Sequence, residues 1–450
     1  MINQGNRRAV TWTDQPPSDW QIFRIKSIFH DNTGSISVEE LANIEVEHYS
    51  IPAFDETETP AIELGASIAS NKTLLKGGEL LFSKLNSHKP RVWLVAESET
   101  TKVASTEFIS LVEWYSGHNS KTFMKYLLGS MTFSDYISCF QTAVTNSHKR
   151  ISPEDLWRTS IAVPSIEEQS CIANHLDKNC AEIDAAIEVK RLQINSLADI
   201  KRSLLQRVVT RGKDQDPTLV DTWNSWLDKI PEGWSLVMLK RLAEIQSGLT
   251  LGKVYDDDED LVEYPYLRVA NVQDGYVELQ DVSTLDVPPA LAARVMLRAG
   301  DVLMTEGGDL DKLGRGTVWD GQIAPCLHQN HVFAVRCFRH KLLPHFLAYV
   351  TAAQYGRDYF EATGKRTTNL AATNSTKVGM FYIPLPSLKV QAELVRYLDT
   401  ELGRLATIEA NIGKQIETLL AYRKSLIHEC VTGKRRITSA DFSGKHVDGR

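Results

Sequence analysis

Two long stretches of the chain repeat apolar residues at a spacing of seven. The row runs from Leu176 to Leu204 in the first stretch and from Leu398 to Leu426 in the second. A parallel row lies four residues further on, and rows that alternate by four and three residues are typical of a coiled-coil seam. Each helix is predicted to run roughly 45 residues, about 65 Å. The candidate seam residues are Leu176, Ile183, Leu197, Leu204, Leu398, Leu405, Leu419 and Leu426.

The two apolar stripes are nearly identical, so each is the obvious partner of the other. We expect an antiparallel intramolecular coiled coil with pseudo-two-fold symmetry, which would point the globular parts to opposite ends. The alternative is that each helix packs on its own domain or drives homodimerisation. Polar residues interrupt the rows at Lys190, Lys201, Glu409 and Arg423. They either set the register, face a third protein, or extend their charged ends into solvent at the edge of the seam.

The helices belong to a repeat that covers the chain. The segment Pro164–Gln169 returns at Pro386–Gln391, an offset of 386 − 164 = 222 positions, and the offset holds without a gap through the helix. Ser165 with Glu168 predicts a capping box at the first helix start, whereas Ser387 predicts a simple cap at the second. A duplicated unit suits a partner that is itself two-fold, of which duplex DNA is the commonest.

The globular parts repeat as well. Pro17–Trp20 aligns with Pro231–Trp234, and Gly78–Leu81 aligns with Gly300–Leu303. The second copy is about eight residues longer between these anchors, and its acidic run 256–260 is the predicted insertion, an exposed loop. Short apolar runs rich in β-branched and aromatic residues at 92–95, 108–112, 317–319 and 331–335 indicate strands, and the segments 122–128 and 344–359 are predicted to be helical, so the fold class is α+β. The predicted division is a first domain at 1–162, a long helix at 163–213, a second domain at 214–384, a second long helix at 385–435 and a flexible tail at 436–450.

Composition limits the class of protein. A chain of 450 residues with 42% hydrophobic and 24% charged residues is ordinary for globular proteins. No run approaches the roughly 20 apolar residues of a membrane span, no signal core is found, and the cysteines are scattered singly, which favours a cytoplasmic protein. The net charge of −7 argues against a simple DNA-coating protein. A DNA reader with this balance must concentrate its cations on one surface or borrow positive charge from a partner.

Candidate recognition residues of the second copy lie in three segments. The glycine-rich stretch 305–316 offers Lys312 and Arg315 to phosphates or guanine edges, although a plain hairpin loop is equally compatible. In the segment 326–331, Gln329 and Asn330 suit adenine edges. The histidines beside them do not have zinc-site spacing, and strand alternation would place them on opposite faces. The third segment contributes Lys365, Arg366 and Asn369.

The first copy has a different set of candidates at corresponding places. The basic loop 83–91 stands where the second copy has its glycine-rich stretch, and the cluster 146–150 corresponds to 364–369. A Lys-Arg pair among small polar residues fits phosphate clamping beside base contact, and a solvated loop is the alternative. The candidates of this copy are Lys84, Asn86, Lys89, Arg91, Lys149 and Arg150.

Signatures of catalysis are missing from the sequence. We find no phosphate-binding loop, no dinucleotide fingerprint and no nucleophile elbow. The pair Pro288-Pro289 lacks the neighbours expected at an amino-methylating site. The acidic run lacks a partner for a metal site, so no catalytic, cofactor or metal residue is assigned.

Together these features resemble the specificity subunits of type I restriction-modification systems. The resemblance rests on the order domain–helix–domain–helix, the Pro-x-x-x-x-Gln helix starts, the Pro-x-x-Trp domain starts and the strands that follow Gly78 and Gly300. It covers the chain to about residue 437. One departure is Val390 before Gln391, where the family has Glu.

The resemblance implies a non-catalytic subunit with two target-recognition domains. Each domain would read one half of a bipartite sequence in double-stranded DNA, and the helices would fix the spacer and dock two methyltransferase subunits. Restriction subunits would complete the complex. S-adenosylmethionine, ATP and Mg would bind to those partners and not to this chain. The rivals are a self-contained enzyme and a structural coiled-coil protein without DNA specificity.

Overall fold

The computed structural model describes residue 12 and residues 16–145, 148–252, 255, 260–308, 313–366 and 371–438. The chain divides into two compact units. The first comprises residues 1–190 and 414–450, and the second comprises residues 191–413. Each unit therefore contains one globular domain and parts of both long helices.

The globular part of the first unit alternates short strands and helices. Its strands are β1 (Gln21–Arg24), β2 (Phe29–Asp31), β3 (Ser35–Ile36), β4 (Glu45–Tyr49), β5 (Ala61–Leu64), β6 (Lys72–Leu75), β7 (Leu80–Ser83), β8 (Val92–Leu94), β9 (Thr101–Ala104), β10 (Phe108–Glu113), β11 (Thr142–Thr145), β12 (His148–Arg150) and β13 (Ser160–Val163). Its helices are α1 (Ile25–Ile28), α2 (Val38–Leu41), α3 (Ile51–Thr57), α4 (Lys121–Leu128), α5 (Met131–Ser138) and α6 (Pro153–Arg158), followed by the long helix α7 (Ile166–Arg211).

The second unit follows the same plan. Its strands are β14 (Leu219–Asn224), β15 (Leu227–Pro231), β16 (Ser235–Met238), β17 (Ala243–Ser247), β18 (Val262–Leu267), β19 (Ser283–Val287), β20 (Asp301–Thr305), β21 (Gly307–Gly308), β22 (Gly316–Trp319), β23 (Leu327–His328), β24 (Val332–Cys337), β25 (Lys365–Arg366), β26 (Ala371–Ala372) and β27 (Tyr382–Leu385). Its helices are α8 (Pro289–Arg294), α9 (Pro344–Ala352), α10 (Gln354–Thr363) and α11 (Ser375–Met380), followed by the long helix α12 (Leu388–Val431).

Each unit has a four-stranded antiparallel sheet of the same topology. The strand order is β2-β10-β7-β8 in the first unit and β17-β24-β20-β22 in the second. A second sheet also corresponds, because β4 pairs parallel to β9 and antiparallel to β5, just as β18 pairs with β23 and β19. The first unit extends this second sheet with β6 and β3. The predicted α+β class and internal repeat are confirmed.

In each copy, the acid that follows the aligned glycine stabilises the turn at the start of an inner strand of the sheet, β7 or β20. Glu79 is 4% exposed and accepts the backbone N–H of Lys76 at 3.0 Å. Asp301 is 1% exposed and accepts the N–H of Arg298 at 2.9 Å. A carboxylate that receives a backbone donor three residues earlier closes the turn, which explains why an acid follows glycine in both copies.

The first unit contains an antiparallel contact between the two long helices. Residues 166–190 of α7 share a hydrophobic core with residues 414–431 of α12, including the buried Leu176, Ile183 and Leu426 and the half-buried Leu419. The contacts run in opposite directions, since Asp184 pairs with Arg423 at 3.0 Å whereas the earlier Glu168 pairs with the later Arg436 at 2.8 Å. Of the polar interruptions, Arg423 thus has a partner on the other helix.

The second unit contains the complementary part of the helix pair. Leu204 and Leu398 belong to one hydrophobic core, and Lys213 after α7 pairs with Glu393 near the start of α12 at 3.2 Å. Leu197 and Leu405 are half-buried. Lys201 and Glu409 are exposed, which is what residues at the edge of a seam would be. The predicted antiparallel pairing within one chain is confirmed, and each helix also packs on a globular domain.

A buried glutamine anchors the start of each long helix. Gln169 is 1% exposed, accepts the backbone N–H of Ser120 at 2.8 Å and donates to the Pro164 carbonyl at 3.1 Å. Gln391 is 0% exposed, accepts the N–H of Leu343 at 2.8 Å and donates to the Pro386 carbonyl at 3.0 Å. The Pro-x-x-x-x-Gln motif therefore ties each helix start to the segment that opens α4 or α9.

A second matched contact lies about two turns along each helix. Tyr126 of α4 donates a hydrogen bond to Asp177 at 2.8 Å, and Tyr349 of α9 donates to Asp399. Burial raises the pKa of both tyrosines above the ordinary value, so the phenols stay protonated as donors. The repeated Leu-Asp pair thus supplies one core residue and one acceptor.

One local prediction was wrong and another was incomplete. Ser165 accepts the N–H of Glu168 at 3.3 Å, but the Glu168 carboxylate binds Arg436 instead of closing the capping box. The segment from Pro344 to Tyr359 is helical as predicted, but in two parts, because Ala353 is extended and separates α9 from α10. A Cβ on Gly356 would lie 2.6 Å from the Val350 carbonyl oxygen, so glycine permits the sharp return of the chain.

Candidate nucleic-acid interface

In the first unit, three segments that are distant in sequence meet at Lys84. Its backbone N–H donates to the Glu107 carbonyl at 2.8 Å, and its carbonyl accepts the N–H of Ile151 at 3.2 Å. The neighbouring Leu85 pairs antiparallel with Arg150. We call Lys84, Glu107 and Ile151 the first junction. It brings together the two candidate clusters that the sequence placed in loop 83–91 and around Lys149.

The second unit repeats this arrangement at Glu306. Its backbone N–H donates to the His331 carbonyl at 2.8 Å, and its carbonyl accepts the N–H of Thr373 at 2.7 Å. The neighbouring Gly307 pairs antiparallel with Ala372. We call Glu306, His331 and Thr373 the second junction. It joins the glycine-rich stretch, the histidine segment and the hairpin of β25 and β26.

The two junctions share a backbone frame but differ in their side chains. In the first junction, Glu107 accepts two hydrogen bonds from Arg150, at 2.9 and 2.8 Å. These bonds raise the pKa of the guanidinium above its ordinary value. In the second, the position equivalent to Arg150 is Ala372, and Glu306 instead binds His331 Nδ1 at 2.7 Å. Each frame thus presents a carboxylate paired with a nitrogen-containing side chain. The arginine and histidine side chains differ in the hydrogen bonds that they can form.

The remaining candidates of the first unit surround its junction. Asn86 has a positive φ of 51° and its side chain accepts the N–H of Lys149 at 3.3 Å, which fixes the turn. Lys89 and Lys149 are exposed, and Lys84 is half-buried. Burial raises the pKa of the Asp31 carboxyl, and the charge of the nearby Lys84 acts in the opposite direction. These lysines form a basic rim around the junction.

Arg91 has a partner inside the protein. It is 5% exposed, and its guanidinium contacts both carboxylate oxygens of Asp55 at 2.6 and 2.7 Å. It also donates to the Leu85 carbonyl at 3.3 Å. The guanidinium lowers the pKa of Asp55. These bonds brace the loop that carries the other candidates.

In the second unit, Gln329 and Asn330 form a half-buried turn between β23 and β24. Their backbone N–H groups donate to the carbonyls of Leu267 and Leu249 at 2.9 and 2.8 Å. Gly248 is required beside this turn, because a Cβ there would lie 2.0 Å from the His328 carbonyl oxygen. The segments that contain Leu267, Leu249 and Gly248 therefore all contact this turn and fix its position.

The structure describes the side chains of two other candidates of the second unit, Arg315 and Lys365. Arg315 is half-buried and lines a cavity of about 840 Å³ beside Lys201 and Arg202 of α7. Lys365 is exposed on β25. The side chain of Arg366, together with Lys312, Asn369 and the acidic residues 256–259, lies outside the described residues.

The two histidines near this turn lie in different environments. His328 is 0% exposed, contacts the Val332 carbonyl through Nδ1 at 2.6 Å, and has its pKa lowered by burial. His331 has a side chain that is 54% exposed. Among the described residues, no group of three or more metal-ligating side chains is present.

Sequence reasoning missed Glu107, Glu306 and His331. A signal was available for one of them, since Glu306 follows the aligned strand β20 at the offset that relates it to Lys84. Glu107 and His331 come into register only through pairing between strands, which the sequence does not reveal.

Large apolar side chains remain exposed on the long helices. In the first unit these include Val189 at 55% and Tyr422 at 51%, and in the second they include Leu192 at 56% and Ile200 at 52%. Such residues outside the seam are candidates for contacts with other proteins. No helix among the described residues combines the length and apolar composition needed to cross a membrane.

No protein-family model matches the chain. Curated relatives carry the descriptions that the sequence predicted. The chain is 26% identical over 208 residues to the putative type I restriction enzyme MjaX specificity subunit of Methanocaldococcus jannaschii, across 46% of this chain and 47% of the relative. It is 23% identical over 289 residues to the EcoKI specificity subunit of Escherichia coli, across 63% of this chain and 59% of the relative. The matches thus span about half of these relatives' own length.

Solved structures share the fold. A chain from the structure described as the structural basis of complex assembly and conformational transition of the type I R-M system has a TM-score of 0.73 and 17% identity, covering 94% of this chain and 100% of that one. The HsdS subunit from Thermoanaerobacter tengcongensis has a TM-score of 0.52 and 18% identity, covering 94% and 99%. The fold is therefore that of type I specificity subunits. The resemblance predicted from the sequence is confirmed by relatives that carry this name.

Proposed function

We propose that this chain is the non-catalytic DNA sequence-recognition subunit of a type I restriction-modification complex. Each globular domain reads one half of a bipartite target in double-stranded DNA, and the paired helices fix the unread spacer. The chain supplies position and sequence choice, whereas partner subunits supply the chemistry. The comparisons do not favour a structural coiled-coil protein without DNA specificity.

One observation carries this proposal. Two junctions with the same backbone hydrogen bonds display different side chains, Arg150 with Glu107 in one and His331 with Glu306 in the other. A duplicated frame with diverged polar side chains suits two readers of different half-sites, because base edges are distinguished by their donors and acceptors. A protein with a purely structural role has no need for such divergence.

The candidates divide by chemistry. Asn86, Arg150, Arg315, Gln329 and Asn330 are proposed for base edges, since amides and guanidinium groups form paired hydrogen bonds with bases. Lysines proposed for phosphates or for either role are Lys84, Lys89, Lys149, Lys312 and Lys365. Arg366 and Asn369 share the chemistry of the base-edge candidates, and Asn369 is proposed for a base edge and Arg366 for either role. Arg91 is assigned to bracing the loop because its side chain is only 5% exposed against Asp55, whereas Arg150, which is also paired with a carboxylate, is 43% exposed.

The partners follow from the helices and the charge. Two methyltransferase subunits would dock on the exposed apolar residues of the long helices, among them Val189 and Ile200. Restriction subunits would join this core, and S-adenosylmethionine, ATP and Mg would bind to the partners. Their positive surfaces would also offset the net charge of −7.

The test is co-expression of the full chain with its methyltransferase, followed by single-molecule mapping of modified bases in the host DNA. We expect one bipartite motif with two specified halves and a constant gap. A contiguous motif, or modification that depends on the methyltransferase but not on this chain, would refute the proposal.

A further inference from the structure

We propose that His331, oriented by Glu306, reads a base with an exocyclic amine, adenine or cytosine, in the half-site contacted by the second domain. The inference rests on the proposed function and adds to it a specificity-determining pair. It starts from the Glu306–His331 contact of 2.7 Å.

The pair has a defined hydrogen-bonding direction. An ionised carboxylate only accepts hydrogen bonds, so Glu306 Oε2 requires a proton on His331 Nδ1. In the neutral imidazole this leaves Nε2 as an acceptor. Among the residues that the structure describes, no hydrogen bond to Nε2 is found, and the side chain is 54% exposed. An outward acceptor of fixed tautomer matches the amino group of adenine or cytosine in the major groove.

The backbone holds the pair rigidly. Glu306 is fixed on both sides, by its N–H to the His331 carbonyl and by its carbonyl from the Thr373 N–H. Glu306 is more buried than His331, with a side chain that is 28% exposed. The carboxylate thus lies beneath the imidazole as a support, and the imidazole faces outward. The pair is held by two backbone hydrogen bonds and one hydrogen bond to a carboxylate. Its side chains therefore lose little conformational entropy when they bind DNA.

The first junction supports a reading role at this place. There Glu107, which stands at the place of His331 in the backbone frame, holds Arg150, whose guanidinium only donates hydrogen bonds. A donor suits the O6 and N7 acceptors of guanine. The same frame therefore presents a donor in one domain and an acceptor in the other, which is the difference that two unlike half-sites require.

The experiment maps modified bases for three variants of the full chain, each co-expressed with the methyltransferase. His331→Ala is expected to keep the gap and the other half-site, and to lose the preference for adenine or cytosine at one position by roughly 10- to 100-fold. Glu306→Gln permits either tautomer, since an amide both donates and accepts, and should let guanine or thymine be accepted at that same position. His340→Ala, an exposed histidine beyond β24, is the matched control and should leave the motif unchanged.

The outcomes separate this inference from the proposed function. If the wild-type chain gives no bipartite motif, the proposed function fails whatever the variants do. If it gives one and both His331→Ala and Glu306→Gln reproduce it unchanged, the reading role of His331 is refuted while the proposed function stands. Uniformly weaker modification with an unchanged motif would likewise refute base reading and indicate a phosphate contact. Should His331→Ala fail to accumulate, Glu306→Gln still decides.

Discussion

Gln169 and Gln391 make the same contact in the two halves of the chain. Each accepts, at 2.8 Å, the backbone N–H of the residue just before a short helix, and each donates to the carbonyl of the proline five residues earlier. The duplicated motif at the helix starts therefore has a structural role in both halves. The side chains of the two junctions, by contrast, differ between the halves.

The buried amide of Gln391 predicts a large effect of its removal. Gln391→Leu would leave the Leu343 N–H and two carbonyls without their partner, at a cost of about 2–3 kcal/mol to the second unit. Hydrogen exchange of the α9 amides measures this loss. Gln415→Leu, on the exposed surface of the same helix, is the control and should change little. Equal protection in the two variants would contradict the anchoring role.

The Asp184–Arg423 pair predicts a register effect in the first unit. The side chains are 52% and 34% exposed, so their coupling should be modest, about 0.5–1 kcal/mol. Asp184→Arg and Arg423→Asp should each lower the melting temperature, and the double variant should recover part of the loss. Strictly additive losses would show that the pair does not set the register.

The Asp55–Arg91 pair predicts a pH dependence. Hydrogen bonding to Arg91 lowers the pKa of Asp55 below 3.8 in the folded chain. Its contribution is therefore fully present above the unfolded pKa and is lost as the pH falls through the lower folded pKa. Thermal melting from neutral pH downward should show wild type more stable than Asp55→Asn, with the difference vanishing in acid. A difference that grows in acid would reverse the assigned sign.

Lys89 predicts a change in salt dependence without a change in motif. Because it is exposed beside the first junction, Lys89→Ala should weaken binding of all duplexes and reduce the salt slope by about one unit. Titration of the assembled complex at several salt concentrations measures the slope. Lys76→Ala, exposed in the turn before β7, is the matched control. An unchanged slope for Lys89→Ala would exclude a phosphate contact.

The sequence predicted the features that depend on local periodicity. The spacing of seven identified α7 and α12 within a few residues of their ends, and runs of β-branched residues located β8, β10, β22 and β24. The 222-residue offset correctly relates the loop 83–91 to the glycine-rich stretch, but it makes Arg150 equivalent to Ala372 and not to a residue of the cluster 364–369. Each of these signals is repeated along the chain, so it could be read without knowing the fold.

The features that the sequence did not predict depend on long-range pairing. The first junction joins Lys84 to Glu107 and Ile151, and no local pattern specifies which strands meet. Arg91 looked like a surface cation until the fold placed Asp55 against it. Glu168 looked like a capping residue, but it is taken by Arg436, which is 268 positions away.

The central claim is that each domain reads its own half of one DNA target. The most direct test compares the modification maps of Arg150→Ala and His331→Ala, each in the full chain co-expressed with the methyltransferase. We predict that each variant loosens one position by about 1–3 kcal/mol, that the two positions lie on opposite sides of the gap, and that the gap is unchanged. Loosening on the same side, or in both halves at once, would contradict the account.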